Sequence, residues 1–262
     1  MKKVRVDLLL VERGLAESRA QAQRLVMAGQ VRVDGQVVPK PGSKVPPESD
    51  IAVDQGPKYV SRGGEKLEAA FDSFPIDVSG KVCADAGAST GGFTDVLLQN
   101  GAARVYAIDV GQGILHWKLR KDPRVIVMEG TNARYIESLP EPVRFVTVDA
   151  SFISLKILLP VMRGWYPQEG GEAVILIKPQ FEAGRMEASK GEGVIRDPEV
   201  HERVLIDVLQ FARDEGFSLL GLIRSPLRGP KGNTEFLAYL GYAIIGDKEK
   251  PLGEMVAKVM EA

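Results

Sequence analysis

Cysteine and histidine are nearly absent, with one Cys and two His in 262 residues. Cys83 alone excludes an intramolecular disulfide, and its apolar neighbours Val82 and Ala84 suit an inert core thiol. With His116 and His201 as the only imidazoles, a His/Cys metal site is not expected. Long apolar runs are missing too: none approaches the length of about 18 residues needed to span a bilayer. The stretch Met1-Lys-Lys-Val-Arg-Val-Asp has neither the apolar core nor the small-residue cleavage site of a secretory signal. These absences together lead to the expectation of a reduced, cytoplasmic protein with no membrane partner. Excess charge is lacking as well, since 34 Lys/Arg face 35 Asp/Glu. The balance is uneven, however: residues 1–60 carry ten bases against seven acids, leaving 24 bases and 28 acids for the rest. A basic head on a mildly acidic body is the polarity expected if the head meets a polyanion. The 44% apolar content is enough for a core, in one large domain or two smaller ones.

What is present centres on Asp85-Ala-Gly-Ala-Ser-Thr-Gly-Gly-Phe-Thr94. A short apolar run, Val82-Cys83-Ala84, precedes it, and Phe93–Leu98 reads as the start of a helix. Strand, glycine-rich turn and helix open a nucleotide-type α/β fold, whose ligands sit at the carboxyl ends of the strands. Gly87, Gly91 and Gly92 are expected to let a ligand approach the backbone closely. Asp85 stands before the turn, and the next apolar strand, Arg104-Val-Tyr-Ala-Ile-Asp109, ends in a second acid. A carboxylate there can accept both hydroxyls of a ribose. Acid, glycine turn, helix, strand and acid, without the spacing that cradles a pyrophosphate, suit S-adenosylmethionine better than a dinucleotide. Structural turn glycines in some other α/β protein are the plainer reading of the same segment.

Strands are expected at 81–85, 104–109, 124–128, 143–149, 172–178, 217–224 and 235–241. Helices are expected near 92–100, 113–120, 153–163 and 199–215, with one more running to about Phe74. Seven strands with helical crossovers predict an α/β doubly wound, Rossmann-like sheet with helices on both faces. Val143-Arg-Phe-Val-Thr-Val-Asp149 places an acid at the end of the fourth strand, and Glu172-Ala-Val-Ile-Leu-Ile-Lys178 a lysine at the end of the fifth. Both side chains then belong at the ligand crevice. A lysine closing an apolar run is unusual, because charged groups are rarely buried unpaired. Alternatively, Lys178 marks where the strand meets solvent and Asp149 caps the next helix.

The head shows helical spacing over Val6–Glu12 and Ser18–Met27, with Ser18 as N-cap. Val31-Arg-Val and Val37-Val38 flank an Asp34-Gly35 hairpin turn, and Ile51-Ala-Val53 adds a strand. Arg5-Val-Asp-Leu-Leu-Leu, Glu17-Ser-Arg-Ala-Gln-Ala and Ala28-Gly-Gln-Val-Arg-Val-Asp-Gly resemble the αL-type RNA-binding domain. That domain is shared by a small-subunit ribosomal protein, pseudouridine synthases and tyrosyl-tRNA synthetases. The resemblance covers residues 5–53 and implies an α+β module whose Arg19, Arg24 and Arg32 contact RNA phosphates. Arg5, and Arg62 beyond the head, are further candidate RNA contacts. The expected division is a head at 1–55, a linker at 56–60, a body at 61–246 and a tail at 247–262.

Further motifs recur in the body: Ser61-Arg-Gly-Gly-Glu-Lys-Leu67, Ile108-Asp-Val-Gly111, Val148-Asp-Ala-Ser-Phe152, Ile177-Lys-Pro-Gln-Phe-Glu182 and Ser225–Phe236. With the glycine turn, they resemble the FtsJ-type 2′-O-ribose RNA methyltransferases. With the head attached, the chain resembles the TlyA-type, haemolysin A-like rRNA methyltransferase family over essentially its full length. The resemblance implies a catalytic set of Lys66, Asp149, Lys178 and Glu235, and S-adenosylmethionine held by Asp85, Gly87, Ser89, Gly91, Gly92, Phe93, Asp109 and Asn132. No metal is called for. In methyltransferase sheets of this class the last strand runs antiparallel, which brings Glu235 to the edge where the other strands end. One departure is that Gln112-Gly-Ile-Leu follows Asp109-Val-Gly, where relatives usually carry an aromatic, glycine, glutamine and leucine.

The chemistry implied is in-line displacement by a ribose 2′-oxygen on the sulfonium methyl. A sugar hydroxyl is a poor nucleophile at neutral pH, so a base and tight positioning both help. Lys178 either serves as that base or, with its neighbours, chiefly orients a hydroxyl that loses its proton late. The leading expectation is cytidine 2′-O-methylation of small- or large-subunit rRNA, with rRNA or ribosomal subunits as partners. Two alternatives stand beside it: a non-catalytic RNA-binding assembly factor, and a membrane-active haemolysin. The latter is disfavoured by the lack of a spanning or strongly amphipathic segment.

Overall fold

The computed structural model describes residues 3–54, 56–184, 187, 191–243 and 251–261. The chain forms two compact units, Met1–Lys58 and Tyr59–Ala262. In the first, strand β1 (Val4–Arg5) leads into α1 (Val6–Glu12), and α2 (Arg19–Met27) follows. Ser18 caps α2 by accepting the Gln21 N–H at 3.3 Å. Strands β2 (Val31–Val33), β3 (Gln36–Val37), β4 (Lys44–Val45) and β5 (Ile51–Val53) complete the unit. The Asp34-Gly35 turn pairs Arg32 with Val37 and Val33 with Gln36. A second small ladder, β1 against β4, runs through the turn-rich stretch 39–47, where no strand is expected. Val6, Leu9, Leu10, Ala22, Val26 and Val31 form the core of this head.

The body opens earlier than the expected linker end. Tyr59 is buried, and the Val60 N–H donates to Asp95 Oδ2 at 2.9 Å. Helix α3 (Gly63–Ser73), β6 (Val82–Ala86), α4 (Gly92–Gln99), β7 (Arg104–Asp109), α5 (Trp117–Arg120) and β8 (Val125–Glu129) come first. Then follow β9 (Phe145–Val148), α6 (Leu155–Met162), β10 (Gly171–Ile177), α7 (Pro179–Glu182), α8 (Pro198–Asp214), β11 (Phe217–Arg224), β12 (Phe236–Tyr242) and α9 (Leu252–Glu261). The seven strands stand in the order β11-β12-β10-β9-β6-β7-β8. β9 pairs parallel with β10 and β6, and β6–β7–β8 are parallel, whereas β12 is antiparallel to both β10 and β11. This is the expected seven-stranded α/β methyltransferase sheet, reversed at its last strand.

Burial on both faces explains the near-continuous apolar strands. One face packs Val146, Val148, Ile175 and Ile177 against Leu158 and Leu159 of α6, Val204 and Val208 of α8, and Val256 and Val259 of α9. The other packs Phe145, Val174 and Leu176 with Leu67 of α3, Val96 and Leu97 of α4, and Leu119 of α5.

Two expectations are corrected here. The tail at 247–262 holds α9, whose Leu252, Val256 and Val259 are part of the body's core; the boundary proposed at 246/247 lies outside the described residues. The helix expected at 113–120 shrinks to Trp117–Arg120. The Glu129 carboxylate captures the Gly113, Ile114 and Leu115 N–H groups and pairs with Arg120, which holds 113–115 in a loop. These donors, Arg120 first, pull Glu129 down to about 2.

Candidate active site

The carboxyl ends of β6, β9 and β10, the start of β12 and the start of α3 surround a cavity of about 640 Å³. Ser61, Lys66, Gly87–Thr90, Gly92, Phe93, Asp149, Phe152, Lys178, Phe181, Asn233 and Glu235 are among its lining residues. Lys66, Asp149, Lys178 and Glu235, from four separate elements, meet there. Lys178 is buried, and its Nζ lies 2.5 Å from Asp149 Oδ1, 3.1 Å from the Ala150 carbonyl and 3.1 Å from Ser151 Oγ. Three oxygens thus lie within hydrogen-bond reach of the Lys178 nitrogen. Lys66 Nζ is 2.6 Å from Glu235 Oε2 and 4.0 Å from Asp149 Oδ2, so the two acids and two bases form one connected chain. Buried charges persist only when paired in this way.

The Lys178–Glu182 motif accounts for its own composition. Pro179 takes the first helical position of α7, where a missing N–H costs nothing. Gln180 Nε2 donates to Glu235 Oε1 at 3.3 Å. Phe181 lies 5.0 Å, ring to ring, from Phe152. Glu182 accepts the Ser154 hydroxyl at 2.6 Å and the Leu155 N–H at 2.8 Å, fixing the start of α6; burial pushes this carboxyl upward.

Phe152 is 92% exposed at the cavity rim and adopts φ +62°, a costly backbone region for an aromatic residue. Sequence reasoning passed over Ser61, Phe152, Gln180 and Phe181 as individual site residues. The signal was there, in their places within the recurring Ser61–Leu67, Val148–Phe152 and Ile177–Glu182 segments.

The glycine turn also packs tightly against the rest of the body. A Cβ on Gly87 would stand 2.6 Å from the Asp149 carbonyl oxygen, and Gly87 holds φ +86°. On Gly91, at φ +98°, a Cβ would overlap the Leu119 side chain, and on Gly92 it would meet Ser61 Oγ at 2.6 Å. At all three positions the protein itself occupies the space a side chain would take, while Gly87 and Gly92 also line the cavity. Gly87 seats the turn directly on the backbone of Asp149.

Asp85 is corrected as a direct ligand contact. Its side chain is fully buried, accepting from Thr94 Oγ1 at 2.6 Å and Thr147 Oγ1 at 3.0 Å, and it does not line the cavity. Burial pushes it up to about 6 against the pull of the two hydroxyls, with the nearby Asp149 charge adding to the rise. Asp109, at the end of β7, accepts the Ser89 N–H at 2.8 Å and the Gly111 N–H at 2.7 Å; each of its oxygens keeps a lone pair. Asn132 Oδ1 accepts the Arg134 N–H at 3.2 Å, and the residue lies outside the cavity lining. A site of this volume suits a cofactor-sized ligand. The backbone of 87–90 and the Asp149 side chain both contribute to its lining. Among the described residues no group of three or more His, Cys, Asp or Glu is arranged to hold a metal ion, and no helix is long and apolar enough to cross a membrane.

In the head, Arg5 and Arg19 both turn to Asp7. Arg5 forms a bidentate pair at 2.9 and 2.8 Å, Arg19 Nε donates at 3.1 Å, and Gln23 adds a bond at 3.0 Å. The Asp7 side chain is fully buried, and its Arg5 partner above all holds it well below the usual carboxylate range. Arg24 and Arg32 are exposed, as is Arg62 in the body.

Residues 59–242 match the family of FtsJ-like methyltransferases, and residues 4–51 match the S4 domain. A 16S/23S rRNA (cytidine-2′-O)-methyltransferase, TlyA, of Mycobacterium tuberculosis is 46% identical over 243 residues, 91% of this chain and 90% of that protein. Hemolysin A of Brachyspira hyodysenteriae is 44% identical over 90% of this chain and 99% of its own length. A solved structure from Streptococcus thermophilus, described as a hemolysin, superposes with a TM-score of 0.72 at 45% identity, covering 100% of this chain and 97% of that one.

Proposed function

Because the chain belongs to the TlyA, hemolysin-like family of rRNA methyltransferases, we propose that it methylates the ribose 2′-oxygen of cytidine in ribosomal RNA, in the cytoplasm. The observation that carries this reading is the convergence of Lys66, Asp149, Lys178 and Glu235 on one cavity beside the glycine turn. The family and fold imply S-adenosylmethionine, which supplies an electrophilic methyl on a positively charged sulfur. Gly87, Ser89, Gly92 and Phe93 line its place, and Asp109, which lies outside the lining but is bonded to the Ser89 N–H, is the acid proposed for the ribose hydroxyls. Asp85 ties the strand before the turn to α4 and β9 through Thr94 and Thr147.

Lys178 meets the substrate hydroxyl. Its amine would hold the 2′-oxygen in line with the methyl group, the hydroxyl proton passing to the Lys178–Asp149 pair as the new C–O bond forms and the methyl–sulfur bond breaks. Lys66 and Glu235 keep that pair aligned, so that orientation is set before reaction. Phe152 and Phe181 present an aromatic surface at the rim on which a splayed-out base can stack. The head supplies affinity through phosphate contacts by exposed Arg24 and Arg32, with Arg5 and Arg19 contributing the part of their charge that Asp7 leaves open. The test is nucleoside mass spectrometry on rRNA incubated with pure protein and S-adenosylmethionine. The expected product is 2′-O-methylcytidine; base methylation, or none, rejects the reading.

A further inference from the structure

Gln180 combines two features that stability alone does not reconcile. Its Nε2 donates to Glu235 Oε1, while its Oε1 is buried and has no hydrogen-bond partner. Swapping the amide would set two acceptors against each other, so the assignment follows from the network. A buried acceptor without a donor is costly and calls for an explanation. An apolar side chain of the same length would avoid that cost. What only the amide provides is the hydrogen bond to Glu235.

Glu235 is 1% exposed. Lys66 holds its Oε2 at 2.6 Å, and a Cβ on Gly229 would stand 2.6 Å from its Oε1. With Gln180 in place, both oxygens of Glu235 are committed, and Lys66 is drawn 4.0 Å from Asp149 instead of against it. Without that donor the carboxylate is free to turn, and Lys66 can close on Asp149 and compete with Lys178 for it.

We propose that Gln180 is a positioning residue of the methyl-transfer site, acting through Glu235 and Lys66 to keep Asp149 paired with Lys178. The inference rests on the methyltransferase reading above. Its test measures kcat and KM for rRNA, the affinity for S-adenosylmethionine and the melting temperature in wild type, Gln180→Met and Gln180→Glu. Gln180→Met loses about tenfold to 100-fold in kcat, the range for groups that hold a catalytic residue in place. Its melting temperature stays level or rises, and cofactor affinity stays at the wild-type value. Gln180→Glu places two carboxyls together, so one of them holds its proton more tightly. Its activity relative to wild type therefore climbs as pH falls and the introduced carboxyl regains a donor hydrogen. A Gln180→Met protein with wild-type kcat, or one whose kcat falls in step with its melting temperature, overturns the inference. An inactive wild type defeats the methyltransferase reading instead.

Discussion

The head and the body bury charge in different surroundings. In the head, one carboxylate, Asp7, is ringed by Arg5, Arg19 and Gln23, and all four side chains come from residues 5–23 alone. In the body, Asp149, Lys178, Lys66 and Glu235 come from elements as far apart in sequence as α3 and β12, and they line a cavity. A local ion cluster closed by its own neighbours shapes a fold. A long-range cluster opening onto a cavity has groups left to act on something else. The same contrast separates Asp85 from Asp149 within the body, since both stand at strand ends but only Asp149 reaches the cavity.

The largest effect belongs to Lys178. Lys178→Ala should lower methyl transfer by at least about 100-fold, as for loss of a proton-transfer group, with S-adenosylmethionine affinity retained in titration calorimetry. Lys178→Arg separates the two ways the amine can act: it fails if a proton must be taken up and keeps substantial activity if charge and orientation suffice. Next in size, Arg24→Ala combined with Arg32→Ala should weaken rRNA binding and lower the slope of log affinity against log salt by about two, one for each lost phosphate contact. An unchanged slope would place the RNA grip elsewhere.

Smaller effects test stability. Asp7→Ala should destabilise the head by roughly 1 to 3 kcal/mol, through lost charge-assisted hydrogen bonds. Because Asp7 is held below its ordinary value, its contribution is present above about pH 4 and lost as pH falls further. Asp85 works in the opposite direction. Raised to about 6, it favours the folded body most below about pH 4, and that contribution is lost as pH rises toward 6. Asp85→Asn should flatten the body's stability between those values, as followed by denaturant midpoints. Parallel pH profiles for the two variants would erase the contrast.

The sheet was legible because strands buried on both faces leave unbroken apolar runs: 81–85, 104–109 and 172–178 were expected where Val82–Ala86, Arg104–Asp109 and Gly171–Ile177 stand. The lysine closing β10 and the acid closing β9 announced themselves as charges at strand ends. Lys66 and Glu235 did not, because nothing local in a helix or at the start of a strand reveals a partner 169 residues away. They entered through family resemblance. The packing role of the glycines is hidden for a related reason. A φ above zero is written in the residue type, but whether the space above it holds a ligand or the Asp149 carbonyl depends on tertiary packing. Helix 113–120 failed because its backbone donors were claimed by Glu129 from a neighbouring strand. Helix α9 falls in the stretch expected as a tail, although Leu252, Val256 and Val259 recur there at helical spacing.

The division between grip and chemistry is tested most directly by single-turnover methyl transfer measured over rising rRNA concentration for wild type, the Arg24→Ala/Arg32→Ala double variant and Lys178→Ala. The head variant should need more RNA yet reach the wild-type rate at saturation, while Lys178→Ala stays slow at every concentration. A head variant that remains slow at saturation, or a Lys178→Ala protein that recovers there, would contradict the account.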